Sequence, residues 1–249
     1  HVRKLKYTQR VERNLSKIHK PKIEKYNGKP YTKVRWLPDY EKFGLQGMTD
    51  DIWSLLRKRA FDIAAVTDKS LKVKIQGKDI DIKSFEQYVD MYIGDKSTSP
   101  RIVQVSDRWE CIVGLSPLDE FSQVSFVNGI YTGKGGKHVD YITNQICKKM
   151  IEYIKKKKKI TVKATTIKEQ LMVFVNCMIE NPAFDSQTKD YMNTPYSKFG
   201  SKFEVNDKTI DKLAKMGVMD AALSLNEVKQ NKAAKKTDGS KSRNIRGIP

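Results

Sequence analysis

Hydrophobic and polar positions follow two periods along this chain, and these periods predict its strands and helices. The longest apolar run covers residues 171–179 and stops at Asn181 and Pro182. A short continuous apolar run that ends at a turn signal is typical of a strand buried on both faces. Alternating patterns elsewhere predict further strands and one hairpin. The predicted strands cover residues 31–37, 108–115, 123–130, 160–164 and 171–180, and the predicted hairpin covers residues 71–82.

Helices are predicted where apolar residues recur every three or four positions behind a capping residue. One helix begins after Thr49, and a shorter one begins after Ser84, with Gln87 completing a capping box. A long helix follows the glycine turn at residues 133–136 and ends in five lysines. Its predicted buried stripe is Val139, Ile142, Ile146, Met150 and Ile154.

Two more helical stretches are predicted near the C-terminal half of the chain. One is a single turn capped by Thr166 and Glu169, and the other begins at Asn206 and is interrupted at Gly217. Strands and helices therefore alternate without a regular βαβ period, which favours the α+β class.

Charge and cysteine content narrow the possible classes of protein. The chain has 249 residues with 48 Lys and Arg against 29 Asp and Glu, a formal net charge of +19. This excess predicts attraction to polyanions such as nucleic acid, an acidic membrane surface or a nucleotide. The apolar runs are too short to span a bilayer. Cys111, Cys147 and Cys177 stand apart among apolar neighbours, which predicts reduced core thiols, and no histidine lies near a cysteine at zinc-ligand spacing.

Polar stretches suggest where the chain divides. Residues 96–100 form a polar connection, and residues 229–243 are rich in lysine, which predicts a mobile segment. We therefore expect a first domain over residues 1–95, a second over residues 96–232 and a basic linker over residues 233–249.

Two features of the middle of the chain have both a structural and a functional interpretation. The glycines at 133–136 predict a tight turn that positions a helix, because Gly135 follows Lys134 where a phosphate-binding loop needs Ser or Thr. A run of lysines is either a solvated helix end or a patch that binds the phosphate backbone of DNA without reading its sequence. This run consists of Lys155, Lys156, Lys157, Lys158 and Lys159.

Residues 125–141, which contain this glycine turn, and residues 179–190, which contain Gln187, Thr188 and Lys189, resemble the transducer region of type IIA DNA topoisomerases. The resemblance is strongest from Trp109 to Asp190 and continues weakly to both ends. It implies the C-terminal part of a GHKL ATPase α/β sandwich in residues 1–95. It also implies a transducer domain in which a small sheet has helices on one side and a left-handed βαβ crossover.

The same resemblance implies roles for individual residues. In the family, the loop that corresponds to Gln187, Thr188 and Lys189 reaches from the transducer into the ATP site, where its lysine contacts the γ-phosphate. Carried over to this sequence, Lys189 becomes the catalytic cation and Gln187 a second ATP contact. Thr32 matches the family threonine that helps to bind the adenine, and residues 155–159 match a basic loop that touches DNA.

The family's remaining parts have no counterpart in residues 1–249. These are the helix that supplies Glu and Asn for water activation and Mg²⁺, the glycine-rich lid, and the TOPRIM and DNA-cleavage domains. The chain is therefore expected to be a fragment that is inactive by itself, with the Mg²⁺ ligands outside it. Residues 242–249 resemble the lead-in to the TOPRIM domain.

The expected function is that of a region of an ATP-dependent, homodimeric type II topoisomerase, which passes one DNA duplex through a transient double-strand break. This region would couple ATP binding and hydrolysis to closure of the N-gate and capture of DNA. Two alternatives stay open: the transducer of another GHKL protein, such as a mismatch-repair ATPase, a chaperone or a gyrase-like enzyme, and a non-catalytic basic module that binds nucleic acid. The expected location is the nucleus for a eukaryotic protein, and the virion or the host-cell replication site for a viral one.

Overall fold

The computed structural model describes residues 4–238, which fall into one unit that ends at Leu56 and a second that begins at Arg57. The first unit contains two small antiparallel ladders, in which β1 pairs with β4 and β2 pairs with β3. These strands are β1 (Leu5–Thr8), β2 (Val11–Glu12), β3 (Lys17–Ile18) and β4 (Lys22–Lys25). No residue from 4 to 56 is buried, so this unit has no core among its own described residues.

The strand predicted over residues 31–37 is wrong. These residues run without regular structure, and Val34 and Leu37 are 82% and 86% exposed. An alternating sequence becomes a β-strand only when a neighbour accepts its backbone hydrogen bonds. Within residues 4–56 the ladders pair other segments, so this stretch has no such neighbour.

The elements that precede the main sheet follow their sequence signals. Helix α1 (Asp50–Val66) begins where Thr49 Oγ1 accepts a hydrogen bond from the Ile52 amide, at 3.3 Å. The predicted hairpin is confirmed in a shorter form, with strands β5 (Lys74–Ile75) and β6 (Lys78–Asp79). Helix α2 (Phe85–Ile93) is capped by Ser84, whose side chain accepts from the Gln87 amide.

A five-stranded sheet forms the centre of the second unit, with the order β10-β9-β12-β8-β7. All of its neighbouring pairs are antiparallel except β9 and β12, which run parallel. The strands are β7 (Arg101–Ser106), β8 (Trp109–Leu115), β9 (Ser122–Val127), β10 (Ile130–Tyr131) and β12 (Leu171–Cys177). A two-residue strand, β11 (Gly135–Gly136), pairs outside this sheet with β13 (Tyr191–Met192).

The central strand β12 is buried on both faces, as its apolar run predicts. Successive side chains of a strand point to opposite faces, so β12 contributes to two cores. Leu171, Val173 and Val175 belong to one core, and Met172 and Phe174 belong to the other. A continuous apolar run is the expected sequence of such a strand.

Helices cover both faces of this sheet. The larger core packs under α3 (Lys137–Lys158), α4 (Ala164–Lys168), α5 (Asp207–Leu213) and the start of α6 (Met219–Asp238). The smaller core packs under α2 and Ala65 at the end of α1. The resemblance implied helices on one side only, and the later helices follow that rule, whereas α1 and α2 close the second face. The left-handed crossover stays a prediction.

Several boundaries differ from the sequence prediction for local reasons. Residues 160–164 are not a strand, because α3 ends at Lys158, Lys159 caps it in a left-handed conformation, and α4 begins at Ala164. Thr166 lies buried inside α4 instead of capping it. Strand β7 was missed, since its sequence mixes polar and apolar residues. The kink at Gly217 is confirmed, with φ of 113°.

The domain limits expected from the sequence lie between residues 95 and 96 and between residues 232 and 233. Helix α2 packs on the sheet of the second unit, and the two compact units meet in sequence between residues 56 and 57. The expected boundary between residues 95 and 96 stays a prediction. Where the ATPase domain of the parent protein ends stays a prediction. The expected linker over residues 233–249 is helical as far as Asp238, and residues 239–249 lie outside the described residues.

The mixture of helices with a mostly antiparallel sheet fits the predicted α+β class.

The three cysteines are buried and free, and burial raises the pKa of the Cys111 thiol to about 12. Within residues 4–238, no helix is both long enough and apolar enough to cross a membrane.

Candidate functional site

The two motifs that resemble the topoisomerase transducer meet in space. The glycine turn and the stem of the Gln187–Lys189 loop are joined by the parallel ladder β11–β13, which pairs Gly135 with Tyr191 and Gly136 with Met192. The Lys134 amide donates to the Asp190 carbonyl at 2.9 Å and extends this contact by one residue. The glycine turn therefore supports the chain directly after Lys189.

Gly136 is the point of closest approach in this ladder. Its φ of 141° lies in the region that side chains rarely adopt. A Cβ placed there would lie 2.6 Å from the Met192 nitrogen and 2.9 Å from its carbonyl carbon. Only glycine lets the two backbones approach this closely.

The loop itself is a hairpin whose tip is held by local hydrogen bonds. Residues 183–193 pair across the hairpin, with the Asp185 amide donating to the Tyr191 carbonyl at 3.2 Å. At the tip, the Lys189 amide donates to the Ser186 carbonyl at 3.1 Å, and Lys189 has a left-handed φ of 59°. The Thr188 hydroxyl donates to Asp190 Oδ2 at 2.8 Å. The backbone at Lys189 is thus fixed by bonds on both sides.

The side chains at the tip are available to a ligand. Gln187 is exposed and Lys189 is partly buried. The Lys189 ammonium lies 5.7 Å from the centre of the Phe184 ring, and no carboxylate among residues 4–238 lies within 4.0 Å of it. An ammonium without a protein counter-charge on a fixed hairpin is suited to contact an anion from outside the unit.

Helix α3 connects this loop stem to the lysine run. It begins directly after Gly136 and spans 22 residues to Lys158, a length of about 33 Å. Lys155 to Lys158 form its last turn, and Lys159 caps it with φ of 60°. All five lysines are exposed. The resemblance implied a basic loop, but here four of the five lysines are helical, where the negative end of the helix dipole favours their charge.

Thr32 lies in the first unit, apart from the other candidate residues along the chain. It is exposed, and its hydroxyl makes no hydrogen bond within residues 4–56. The adenine contact that the resemblance implies for Thr32 therefore stays a prediction. No group of three His, Cys, Asp or Glu side chains within residues 4–238 is arranged to hold a metal ion.

Sequence reasoning missed a buried polar cluster beneath the glycine turn. Ser125, Thr132 and His138 are fully buried and hydrogen-bonded to one another, and Gln123 bonds the turn from the side. All three residues of the cluster lie within residues 125–141, the segment that resembles the family. Nothing in the spacing of these residues shows that they meet, because their contacts depend on how β9, the turn and α3 fold together.

A model of the DNA gyrase B family matches residues 84–243, which include the sheet, the loop and the lysine run. The chain belongs to the type IIA DNA topoisomerase family. It is 46% identical over 245 residues to DNA topoisomerase 2 of Arabidopsis thaliana, and the match covers 95% of this chain and 17% of that protein. It is 38% identical to DNA topoisomerase 2 of Saccharomyces cerevisiae over 262 residues, with 98% and 18% covered.

Solved structures of topoisomerases share the fold. The crystal structure of the ATPase region of Saccharomyces cerevisiae topoisomerase II superposes with a TM-score of 0.83 at 38% identity, covering 90% of this chain and 58% of that one. The ATPase and transducer domains of topoisomerase II from Balamuthia mandrillaris superpose with a TM-score of 0.78 at 30% identity, covering 92% and 60%. The chain spans less than a fifth of the length of the Arabidopsis thaliana and Saccharomyces cerevisiae topoisomerases that it matches in sequence.

Proposed function

We propose that this chain is the transducer, with the end of the ATPase domain, of an ATP-dependent type II DNA topoisomerase. It couples ATP binding and hydrolysis to closure of the N-gate and capture of a DNA duplex. The parent protein acts as a homodimer and passes one duplex through a transient break made elsewhere in the chain. The observation that carries this proposal is the ladder β11–β13, which holds the Lys189 loop to the start of α3.

The chemistry at the loop tip fits a phosphoryl group. A γ-phosphate in transfer carries negative charge, and a fixed ammonium stabilises that charge without reorganising. Lys189 supplies the charge, and Gln187 supplies a neutral amide that donates a weaker hydrogen bond. Thr32 is the proposed adenine contact. ATP is the nucleotide substrate, and its Mg²⁺ takes its ligands from parts of the parent protein outside this chain.

The far end of α3 is the proposed contact for double-stranded DNA. The five exposed lysines from 155 to 159 form a dense positive patch that would displace counterions from a phosphate backbone. Binding of this kind is independent of sequence, which suits an enzyme that captures any duplex. One helix thus links the loop that contacts ATP to the surface that contacts DNA.

Hydrolysis of ATP would break the contact between the Lys189 loop and the nucleotide. When the γ-phosphate leaves, Lys189 loses its anion, and the loop is released from the nucleotide site. Membership of the topoisomerase family favours this function over a mismatch-repair ATPase, a chaperone or a simple basic module. The proposed location is the nucleus in a eukaryote, and the virion or host replication site in a large DNA virus.

The test is substitution of the loop lysine in the parent enzyme. We expect Lys189→Ala to lower steady-state ATP hydrolysis by about a hundredfold, the effect of removing one preorganised donor to developing charge. Relaxation of supercoiled DNA should fall with it. Lys189→Arg should rescue poorly because the guanidinium is wider and forked. Gln187→Ala should have the weaker effect of a lost neutral hydrogen bond.

The matched control is Lys198→Ala, which removes an exposed lysine nine residues further along the same unit. It should leave ATP hydrolysis unchanged, and the melting temperature of each variant should stay close to that of the parent enzyme. Normal turnover in the Lys189→Ala enzyme would show that the hairpin is only a structural turn.

A further inference from the structure

Three fully buried polar side chains lie between the sheet and the first turn of α3. Ser125 comes from β9, Thr132 from the entry to the glycine turn, and His138 from α3. The Thr132 hydroxyl is their common partner, at 2.6 Å from Ser125 Oγ and 3.2 Å from His138 Nε2. Polar groups buried this deeply are costly unless they are paired, so the arrangement constrains each member.

The contacts around Thr132 are all satisfied in one arrangement, which we assign. Thr132 Oγ1 donates to the Ser125 carbonyl at 3.0 Å and accepts from Ser125 Oγ and His138 Nε2, so His138 carries its hydrogen on Nε2. Within residues 4–238 its Nδ1 has no hydrogen-bond partner, and in this tautomer it is the acceptor nitrogen. Burial lowers the pKa of His138 to about 3, so the ring is neutral at physiological pH.

The same threonine holds the glycine turn through its backbone. The Thr132 carbonyl accepts from the Gly135 amide at 2.9 Å, and Gln123 Nε2 donates to the carbonyls of Thr132 and Gly133 at 3.3 Å and 3.0 Å. The glycine turn also holds the Lys189 loop, since the Lys134 amide donates to the Asp190 carbonyl at 2.9 Å.

A continuous series of hydrogen bonds thus leads from His138 to the residue next to Lys189. The series passes through the Thr132 side chain, the backbone of the glycine turn and the Asp190 carbonyl. The hydrogen bonds in this series are 3.2 Å, 2.9 Å and 2.9 Å long. A shift of the turn would therefore move the base of the hairpin that presents Lys189.

We propose that His138 is a positioning residue, whose Nε2 hydrogen bond to Thr132 sets the glycine turn and so the placement of Lys189 against the γ-phosphate. This inference rests on the proposed function of the Lys189 loop. It assigns His138 no contact with nucleotide. Its effect on catalysis is indirect and requires the Lys189 ammonium to be present.

The experiment is a double-mutant cycle in the full parent enzyme, with steady-state ATP hydrolysis as the readout. His138→Leu removes the donor and should lower kcat about tenfold, since misplacing a catalytic group by a fraction of an ångström has effects of this order. In an enzyme that already carries Lys189→Ala, the same change should lower kcat less than about twofold, because the group being positioned is absent.

Conservative variants separate the hydrogen bond from packing. Glutamine can place an amide N–H where Nε2 lies, so His138→Gln should recover most of the activity. Asparagine places its amide near the Nδ1 position and should not. Thr132→Val deletes the same hydrogen bond from the other side, and it should show the same dependence on Lys189.

The matched control is Thr143→Val. Thr143 is fully buried on the same helix, but its hydroxyl donates at 3.0 Å to the Val139 carbonyl within α3 and not toward the loop. Its effect on kcat should be equal in both backgrounds. An equal effect of His138→Leu in both backgrounds would overturn the positioning role while leaving the role of Lys189 intact. Normal hydrolysis by Lys189→Ala alone would instead overturn the proposed function of the loop.

Discussion

At the scale of single residues, the site depends on backbone geometry more than on charge. Lys189 has no special property as an isolated lysine, and its proposed role depends on the hairpin that fixes its position. Gly136 makes that hairpin possible, because it lets Met192 pair with the glycine turn without a side chain between them. A steric requirement at one residue therefore controls the position of a cation more than fifty residues later.

We expect Gly136→Ala to destabilise the protein by about 3 kcal/mol, from an unfavourable φ together with a clash against backbone atoms. The control is Gly129→Ala, where φ is also positive, at 77°, but the nearest atom to a new Cβ is 3.9 Å away. This control should cost only the strain of the left-handed conformation, about 1 kcal/mol. Denaturant unfolding of both variants measures the difference, and equal losses would show that the close approach to Met192 is not limiting.

At the scale of elements, helix α3 connects the loop stem to the lysine run. Its first residue follows the glycine turn and its last turn consists of lysines, so one rigid element joins two surfaces about 33 Å apart. The helix is held along its length by Ile142, Ile146, Met150 and Ile154, all fully buried against the sheet. It is therefore packed as part of the core and is not a free connection.

The lysine end of α3 is tested by the salt dependence of DNA binding. Replacing all five lysines from 155 to 159 by alanine should weaken duplex binding and reduce the slope of log affinity against log salt. The reduction should be about four, if most of the five contact phosphate. The readout is duplex affinity measured over a series of salt concentrations.

A matched variant removes the same charge from another region of the second unit, with Lys69, Lys72, Lys74, Lys78 and Lys83 replaced by alanine. If charge density at the end of α3 is what binds DNA, this variant should keep most of the slope. Equal slopes in the two variants would mean that the +19 net charge attracts DNA without a defined surface.

At the scale of the whole molecule, the two units differ in how they are stabilised. The second unit has two cores on the faces of one sheet. The first unit buries no residue between 4 and 56, and Trp36 is 62% exposed. Few buried contacts and many exposed backbone groups are the physical signs of a segment that opens easily.

We expect limited chymotrypsin digestion of the 249-residue chain to cut first after Trp36, which is 62% exposed. Aromatic residues of the sheet, such as Trp109 and Phe174, should resist cleavage because they are buried. The bond after Trp36 should be protected in the parent protein if other segments of that protein cover it. Cleavage inside the sheet at the same rate as at Trp36 would contradict this difference in stability.

The sequence by itself determined the local features and indicated the family. The apolar run at 171–179 specified a strand buried on both faces, the caps at Thr49, Ser84 and Asn206 specified helix starts, and the stripe of α3 specified its buried face. These features follow from periodicity and from side-chain-to-backbone hydrogen bonds, which depend on neighbours in sequence. The resemblance in residues 125–141 and 179–190 likewise indicated the family that the comparisons show.

The tertiary structure alone decided which distant segments meet. Residues 31–37 have the pattern of a strand but find no partner within residues 4–56, whereas the mixed sequence of β7 pairs with β8 and becomes a strand. The contact between Gly136 and Met192, and the hydrogen bonds that join Ser125, Thr132 and His138, have no signature in residue spacing. Pairing is a property of two segments at once, and a pattern read along one segment cannot contain it.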